Sequence, residues 1–421
     1  MRFSKLVVGG AALVGLGSLP SALAWGAAGH EIVATIAQIH LHPSVLPLLC
    51  SILYPDSLSD TCFLAPASTW ADRFKYRMRW SAPLHYVGAV GDHPSDTCVF
   101  PGDKGWAGRD GGNVLSAIRN VTTILEDFVQ DAVAAQGRLR WSADVDRAEE
   151  ALKFLIHFVG DMHQPLHLTG RDRGGNGDKV SWDGRVTNLH SLWDGLLIAK
   201  ALRGIPRSSN YSLPLPVPAV EAALRGAIYD PFIRKLMWEG VGVGNAHKGR
   251  WEDDVEGWLD CPDSSKSQST GWLAQLGQAV LDIFPLRQPA QDTDDDTLCP
   301  YAWAVPIHKL NCDLVWPKEM DEPPYGHAAY DDFDHDHDEF ECRGTSCGDE
   351  EMRELLWGDF EAEGRPRRND YLELDTPEYA GRIEKEWLVE HLLALGGIRL
   401  AGVLNGIFAP LIEDSAVPAK F

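Results

Sequence analysis

The feature that most constrains the fold is a pair of ionisable side chains inside a mostly apolar stretch. His157 and Asp161 lie within the run 152–162. Their four-residue spacing places both side chains on one face of a helix, one turn apart. A carboxylate and an imidazole buried in such a helix are costly without partners, and a divalent metal satisfies both. The chain must therefore bring this helix to a metal or to other polar groups.

Two further segments repeat this chemistry. Pro165 is expected to end the first helix and can turn His167 back toward the same site. His190 and Asp194 repeat the His-xxx-Asp spacing on a second amphipathic helix. Hydrogen bonds inside a helical core would explain one such segment. Two in one chain favour metal ligands.

The first 24 residues have the pattern of a secretory signal. Arg2 and Lys5 form a basic start, residues 6–16 are apolar, and residues 22–24 are a small-residue cleavage site. We expect a secreted protein whose mature chain begins at Trp25. The apolar stretch is too short to span a bilayer and no other run approaches about 20 apolar residues, so we expect no membrane anchor.

All eight cysteines follow the predicted signal. An even number in an exported chain favours disulfides over thiol chemistry. Sequons begin at Asn120 and Asn210, which suits the same route. Sequence alone leaves the connectivity open, but proximity along the chain suggests pairs of Cys50 with Cys62, Cys261 with Cys299, and Cys342 with Cys347.

The formal net charge of −23 has the wrong sign for a protein that binds nucleic acid through a broad Lys/Arg surface. Any polyanionic ligand must be attracted by local positive charge. Bound divalent metals are one source, because they can be the largest charges in a site.

The hydrophobic pattern predicts an all-α fold. Strand-like alternation is rare and short, whereas helical spacing recurs through the chain. We expect residues 25–421 to form a single catalytic domain. Helical spacing is found in residues 31–41, 112–128, 148–162, 189–201, 220–237, 270–283 and 382–404.

The region 317–368 departs from this pattern and contains a run of acidic residues and histidines at 330–341. We expect an acidic surface insertion. Metal binding by its Asp and His side chains is a weaker alternative, because no helical or turn geometry brings them together.

The start of the mature chain offers a further set of ligands. The free α-amino group of Trp25 has a reference pKa of about 8 and is readily deprotonated by a metal. His30 follows at the start of a predicted helix. Asp72 and His85 each offer one more ligand of a kind that zinc accepts.

Together these residues resemble a known family, the zinc-dependent single-strand nucleases of fungi and plants, whose fold is shared with bacterial zinc phospholipase C. The resemblance covers residues 25–201 and returns at 301–312 and 396–405. It implies a secreted enzyme that uses three Zn²⁺ to hydrolyse single-stranded DNA and RNA to 5′-phosphorylated products, and that also acts on 3′-nucleotides. Separately, we expect a monomer. The family's nine metal-ligand residues have counterparts here in order: Trp25, His30, Asp72, His85, His157, Asp161, His167, His190 and Asp194.

The resemblance also implies how these ligands divide among the metals. His163, between the ligands, binds none in the family. One zinc is bound by Asp72, His85, His157 and Asp161; a close neighbour is bound by Trp25 and His30, with Asp161 bridging the two; the third is bound by His167, His190 and Asp194.

Further roles follow from the same resemblance. Asp72 would orient the nucleophile or accept its proton, and Lys75 and Asn176 would contact phosphate. Tyr86 is placed to stack on a base, although a core aromatic is an alternative. Gly88 stands where the family has an acidic residue that hydrogen-bonds the base, so the base preference stays open. The resemblance also pairs Cys98 with Cys312.

Two other functions remain as alternatives. The same ligands serve zinc phospholipase C, so a phosphodiesterase acting on phospholipid headgroups is possible. Its membrane adsorption is opposed by the acidic additions in this chain. A secreted zinc-binding protein without catalysis would instead use the 331–341 run to bind metal.

Overall fold

The computed structural model describes residues 25–412 except 56, 58–61, 103, 109–111, 135–142, 207–210, 212, 244–247, 263–292 and 326–370. Several sequence predictions fall outside these residues. They are the signal sequence, the sequon at Asn210, the helix at 270–283, most of the acidic insertion, and the pair Cys342–Cys347.

The described chain is mostly helical, which confirms the all-α fold class. In chain order its longer helices are α1 (Ala27–His40), α2 (Val45–Leu53), α3 (Val114–Ala134), α4 (Ala143–Met162), α5 (Leu197–Gly204), α6 (Pro218–Leu224), α7 (Pro300–Leu310), α8 (Ala380–Glu386) and α9 (Leu388–Phe408).

Short elements connect these helices, and several of them carry predicted site residues. One antiparallel hairpin pairs β1 (Lys179–Trp182) with β2 (Arg185–Asn188). The short α-helical turns are Ala65–Ser68, Trp70–Phe74, Asp172–Gly175, Leu189–Ser191 and Asp230–Lys235. The 3₁₀ segments are Arg79–His85, Pro165–Leu168, Val255–Leu259, Lys318–Asp321 and Ala409–Leu411, and the π segments are Leu192–Leu196, Leu236–Val241 and Asn311–Val315.

Helix α9 is the centre of the apolar core. It packs closely on α1 at Gly397, where a Cβ atom would lie 2.5 Å from Ile36 Cγ2. The stretch Leu388–Leu411 is long and apolar enough to cross a membrane, so the expectation that no other run approaches that length is wrong. Its most apolar window is 72% buried inside the protein, as in a core helix.

A buried arginine ties α9 to the helix that carries His157 and Asp161. Arg399 Nε donates to Trp258 O at 2.9 Å, and Nη1 lies 3.1 Å from His163 Nε2. Burial lowers the pKa of Arg399 to about 9. The guanidinium is therefore held by the Trp258 carbonyl and the neutral His163 imidazole, which lie on separate segments. These bonds fix the positions of the two segments relative to α9.

The helices missed by sequence reasoning contain proline. Pro47 lies in the first turn of α2, where its missing N–H has no intrahelical partner to lose. Helix α7 begins at Pro300 and also contains Pro306. The predicted 382–404 helix is broken at Trp387, whose φ of 58° separates α8 from α9.

Three disulfides are present in the described chain, and all three were predicted pairs. Cys50 bonds Cys62 across 12 residues, and Cys261 bonds Cys299 across 38. Cys98 bonds Cys312 across 214 residues and so joins the segment after His85 to the end of α7.

The lengths of these closed loops predict unequal stabilities. Replacing Cys98 and Cys312 together by alanine should cost about 2.5 kcal/mol more free energy of unfolding than replacing Cys50 and Cys62, because the longer loop restricts the unfolded chain more. Urea unfolding of the two double variants and the parent measures this. An equal or smaller cost for the Cys98–Cys312 pair would contradict the expectation.

Candidate metal centre

The centre is built on the inward face of α4. His157 Nδ1 donates to Ser68 O at 2.6 Å, which leaves the lone pair on Nε2. That nitrogen lies 3.3 Å from Asp161 Oδ2 and 3.8 Å from Asp72 Oδ2. It is also 3.1 Å from His85 Nδ1. Two carboxylates and two imidazoles from three separate segments therefore meet at one buried point.

His30 enters this group from α1. Its ring stacks on His157 with 3.9 Å between the ring centres, and its Nε2 lies 3.3 Å from Asp161 Oδ1. Both of these buried atoms lack a hydrogen bond. Gly160 makes the approach possible, because a Cβ there would lie 2.6 Å from His30 Nδ1.

His167 returns to the site because α4 ends at Met162. Gln164 accepts a hydrogen bond from Leu166 N and starts the Pro165–Leu168 turn. His167 Nδ1 then donates to His85 O at 2.7 Å, and its Nε2 stays buried without a hydrogen bond. The turn at Pro165 thus has the predicted effect on the direction of the chain.

His190 and Asp194 form the second side of the centre. His190 Nδ1 donates to Gly174 O at 2.7 Å, and its Nε2 lies 3.3 Å from Asp194 Oδ2. The His190 ring stacks on that of His167 with 5.0 Å between centres. The predicted one-turn pair is present, but residues 192–196 form a π-helical segment rather than α-helix. Such bulges are frequent at functional sites.

Trp25 lies beside this second side. Its side chain is completely buried, and the next residue, Gly26, donates from N to Asp194 O at 2.8 Å. The start of the predicted mature chain therefore lies among the predicted ligands. His30, in the first turns of α1, contacts Asp161.

The buried donor atoms fit a set of bound cations. There are three His/Asp groups, and within each of them the ligand atoms lie within 4.8 Å of one another. Buried ligand atoms without a hydrogen-bond partner are costly, and a divalent cation among them would satisfy them. Six buried atoms of these groups have no hydrogen-bond partner: His30 Nδ1, His30 Nε2, His85 Nε2, Asp161 Oδ1, His167 Nε2 and Asp194 Oδ2.

Burial sets the protonation of the imidazoles. It lowers the pKa of His157 to about 4 and that of His190 to about 3. It lowers the pKa of His167 as well. All three are neutral near pH 7, which is the form that binds a metal.

The carboxylates differ in how their charge is supported. Burial alone would raise the pKa of Asp161, but the imidazoles of His157, His30 and His85 outweigh burial and hold it well below its usual range. For Asp194, burial dominates the hydrogen bond from Gln164 and raises the pKa well above the usual value. The charge of Asp194 therefore needs a cation that the surrounding protein groups do not supply.

The predicted phosphate contacts lie at the edge of the centre. Lys75 Nζ is 3.7 Å from Asp72 Oδ1, and one third of its side chain is exposed. Asn176 Nδ2 donates to Arg173 O at 2.9 Å, in the loop whose Gly174 carbonyl binds His190.

Tyr86 and Gly88 follow His85 on the same edge. Tyr86 is 51% exposed, which does not agree with the alternative of a core aromatic. A Cβ at Gly88 would lie 2.6 Å from Gly170 N and 2.7 Å from its Cα. The backbone of residue 170 thus occupies the space that an acidic side chain would need.

His163 has no free lone pair. Its Nδ1 donates to Val159 O at 2.7 Å, and its Nε2 accepts from Arg399 Nη1. The geometry explains why a histidine between the predicted ligands has a structural role.

Sequence reasoning missed Gln164. This side chain is completely buried and donates from Nε2 to Asp194 Oδ1 at 2.8 Å. Its position between His163 and Pro165 in an apolar segment is the signal that could have found it. A fourth His/Cys group, Cys98, His308 and Cys312, is not free to bind metal because its two sulfurs are bonded to each other.

Comparison with known proteins agrees with this geometry. The family model "S1/P1 Nuclease" matches residues 25–222, which include every predicted ligand. Endonuclease 2 of Arabidopsis thaliana is 36% identical over 246 residues, covering 58% of this chain and 70% of that protein. Nuclease P1 of Penicillium citrinum is 36% identical over 277 residues, covering 64% and 86%. Nuclease S1 of Aspergillus oryzae is 38% identical over 182 residues, covering 43% and 56%. The chain belongs to the S1/P1 nuclease family.

Proposed function

We propose that the protein is a secreted, monomeric, zinc-dependent endonuclease. Its substrates are single-stranded DNA and RNA, which it cleaves to 5′-phosphorylated products, and 3′-nucleotides. The observation that carries this proposal is the convergence of eight His and Asp side chains into three buried groups, in a chain of a nuclease family. Several potential metal-ligand atoms in these groups have no hydrogen-bond partner. Three disulfides support secretion. One continuous core among the described residues supports a single catalytic domain.

We propose that these ligand groups hold three zinc ions. Zinc bound there would lower the pKa of a water molecule and neutralise charge on phosphate. The first group is Asp72, His85, His157 and Asp161, the second is Trp25 and His30 with a share of Asp161, and the third is His167, His190 and Asp194.

Residues at the edge of the centre handle the substrate. Asp72, buried beside His157, orients the attacking water or takes its proton. Lys75 is the partly exposed cation next to Asp72 and holds a phosphate oxygen, and the Asn176 amide donates to another. Together they orient a phosphodiester in a protein whose overall charge would repel it.

Base recognition rests on Tyr86. Its exposed ring offers a stacking surface that does not depend on base identity. Because Gly88 has no room for a carboxylate, the protein lacks that hydrogen-bond acceptor for the base. We infer weak base selectivity.

The first test of function compares Asp161, near the end of α4, with His163, which directly follows that helix. Asp161→Asn should lower hydrolysis of denatured DNA by more than about 100-fold and reduce bound zinc. Mutating a residue that only hydrogen-bonds a metal ligand already lowers metal affinity or activity by about 10- to 100-fold. His163→Ala should keep its zinc and lose stability instead, because both His163 nitrogens bind protein groups. Zinc analysis and initial rates measure both, and equal losses would overturn the ligand assignment.

The second test concerns strand preference. Denatured DNA should be cut much faster than the same sequence as a duplex, because Tyr86 can stack only on an unpaired base. Tyr86→Ala should lower kcat/KM on single strands by roughly fivefold to a hundredfold, whereas Tyr86→Phe keeps the ring and the rate. Equal rates on duplex and denatured DNA, or release of choline phosphate from phosphatidylcholine in place of nucleotides, would refute this substrate class.

The third test concerns the start of the mature chain. One extra alanine ahead of Trp25 converts the α-amine into an amide, which is a poor metal ligand. The extended protein should lose the zinc held by Trp25 and His30, and its rate should fall by more than about 100-fold. The fold should persist, since three disulfides and the other ligand groups are unchanged. Zinc content and hydrolysis of the two forms, measured side by side, decide this; full zinc and full rate in the extended form would remove Trp25 from the site.

A further inference from the structure

A basic and aromatic segment follows directly after Asp72. Residues 73–80 read Arg-Phe-Lys-Tyr-Arg-Met-Arg-Trp and contain no acidic residue. In a chain with a net charge of −23 this is a local concentration of positive charge. Basic groups mixed with aromatic rings are the surface that single-stranded nucleic acid binds.

The side chains of the 73–80 segment are available for binding. Tyr76 is 70% exposed and Trp80 is 59% exposed. Arg73, Arg77 and Arg79 are exposed as well, and none of them forms an ion pair with a carboxylate in the described part of the chain. Arg73 donates to Pro66 O, and Arg77 lies over the Phe74 ring at 5.8 Å, so most of their donors remain free.

Ring contacts connect the segment to the metal centre. The Trp80 ring centre is 5.8 Å from that of Phe154, which stacks on Phe158 at 4.9 Å. Phe158 in turn meets the edge of His85 at 5.2 Å. The exposed face of Trp80 therefore belongs to the same wall of side chains that supports a predicted metal ligand.

The short stretch of chain between Lys75 and the two aromatic residues keeps them close together. Lys75, the predicted phosphate contact, lies inside the segment and precedes Tyr76 directly. Trp80 lies five positions after Lys75, which limits the span between their Cα atoms to about 18 Å. Nucleotides next to a phosphate held at Lys75 can reach both rings.

We propose that the 73–80 segment binds the nucleotides that flank the scissile phosphate in a single-stranded chain. Tyr76 and Trp80 stack on successive bases, and Arg77 and Arg79 contact the intervening phosphates. The proposal rests on the nuclease function proposed above and adds a site for substrate beyond the single nucleotide at Tyr86. It makes the enzyme prefer oligonucleotides to 3′-mononucleotides.

The test uses the zinc-loaded protein with two substrates, a single-stranded oligonucleotide of about 20 residues and a 3′-mononucleotide. The measured quantity is the ratio of their kcat/KM values. Tyr76→Ala with Trp80→Ala should lower this ratio at least about fivefold, the effect of losing one base stack. Tyr76→Ala alone should lower it too, and since Tyr76 makes no ring contact within the described residues, this variant leaves the Trp80 packing intact.

Arg77→Gln with Arg79→Gln tests the charge contribution. The slope of log Kd against log salt concentration for the oligonucleotide should decrease by about 1.4, the value for two phosphate contacts on a single strand. Ile228 is 76% exposed and Arg203 is exposed, and both lie outside the 73–80 segment. Ile228→Ala and Arg203→Gln are therefore matched controls that should change neither the ratio nor the slope.

The possible outcomes are distinguishable. A wild-type protein that hydrolyses neither substrate would refute the nuclease proposal itself. Wild-type activity on both, with folded variants whose ratio is unchanged, would overturn only the role of the 73–80 segment. An unchanged ratio together with lost binding to phosphatidylcholine/phosphatidylglycerol vesicles would assign the segment to a lipid surface, and would also overturn it.

Discussion

The carboxylate of Asp161 is the group on which the rest of the centre depends. Four imidazoles have a nitrogen within 3.7 Å of its oxygens, and its side chain is completely buried. These imidazoles support its charge, but buried atoms around it, including Asp161 Oδ1 and His30 Nε2, still have no hydrogen-bond partner, which is costly. The arrangement becomes favourable when cations lie among them. We therefore propose that bound cations complete this centre.

The fold supports this centre by holding segments that are distant in sequence. Gly160 lets α1 bring His30 onto α4, and Gly174 supplies the carbonyl that orients His190. Backbone carbonyls of Ser68 and His85 fix the tautomers of His157 and His167 in the same way. Behind the site, Arg399 and the Cys98–Cys312 disulfide attach the C-terminal helices to the half of the chain that carries the ligands.

Much of this was predictable from sequence because the signal is chemical as well as periodic. The pair His157 and Asp161 could be placed on one helical face, and the effect of Pro165 on His167 followed from proline geometry. Local patterns could not reveal which backbone carbonyls bind the imidazoles, since those contacts join segments up to 89 residues apart. Nor could they show that the backbone of Gly170 fills the space beside Gly88. Helices α2 and α7 were not among the predicted helices, and both have a proline in the first turn, where its missing N–H costs no helical hydrogen bond.

We propose that these side chains hold three zinc ions. Anomalous diffraction at the zinc absorption edge from crystals of the mature protein tests it most directly. We expect three peaks, two of them next to Asp161 and the third between His167, His190 and Asp194. Fewer peaks at these groups in a fully active protein, or zinc bound elsewhere with these side chains bonded only to one another, would contradict it.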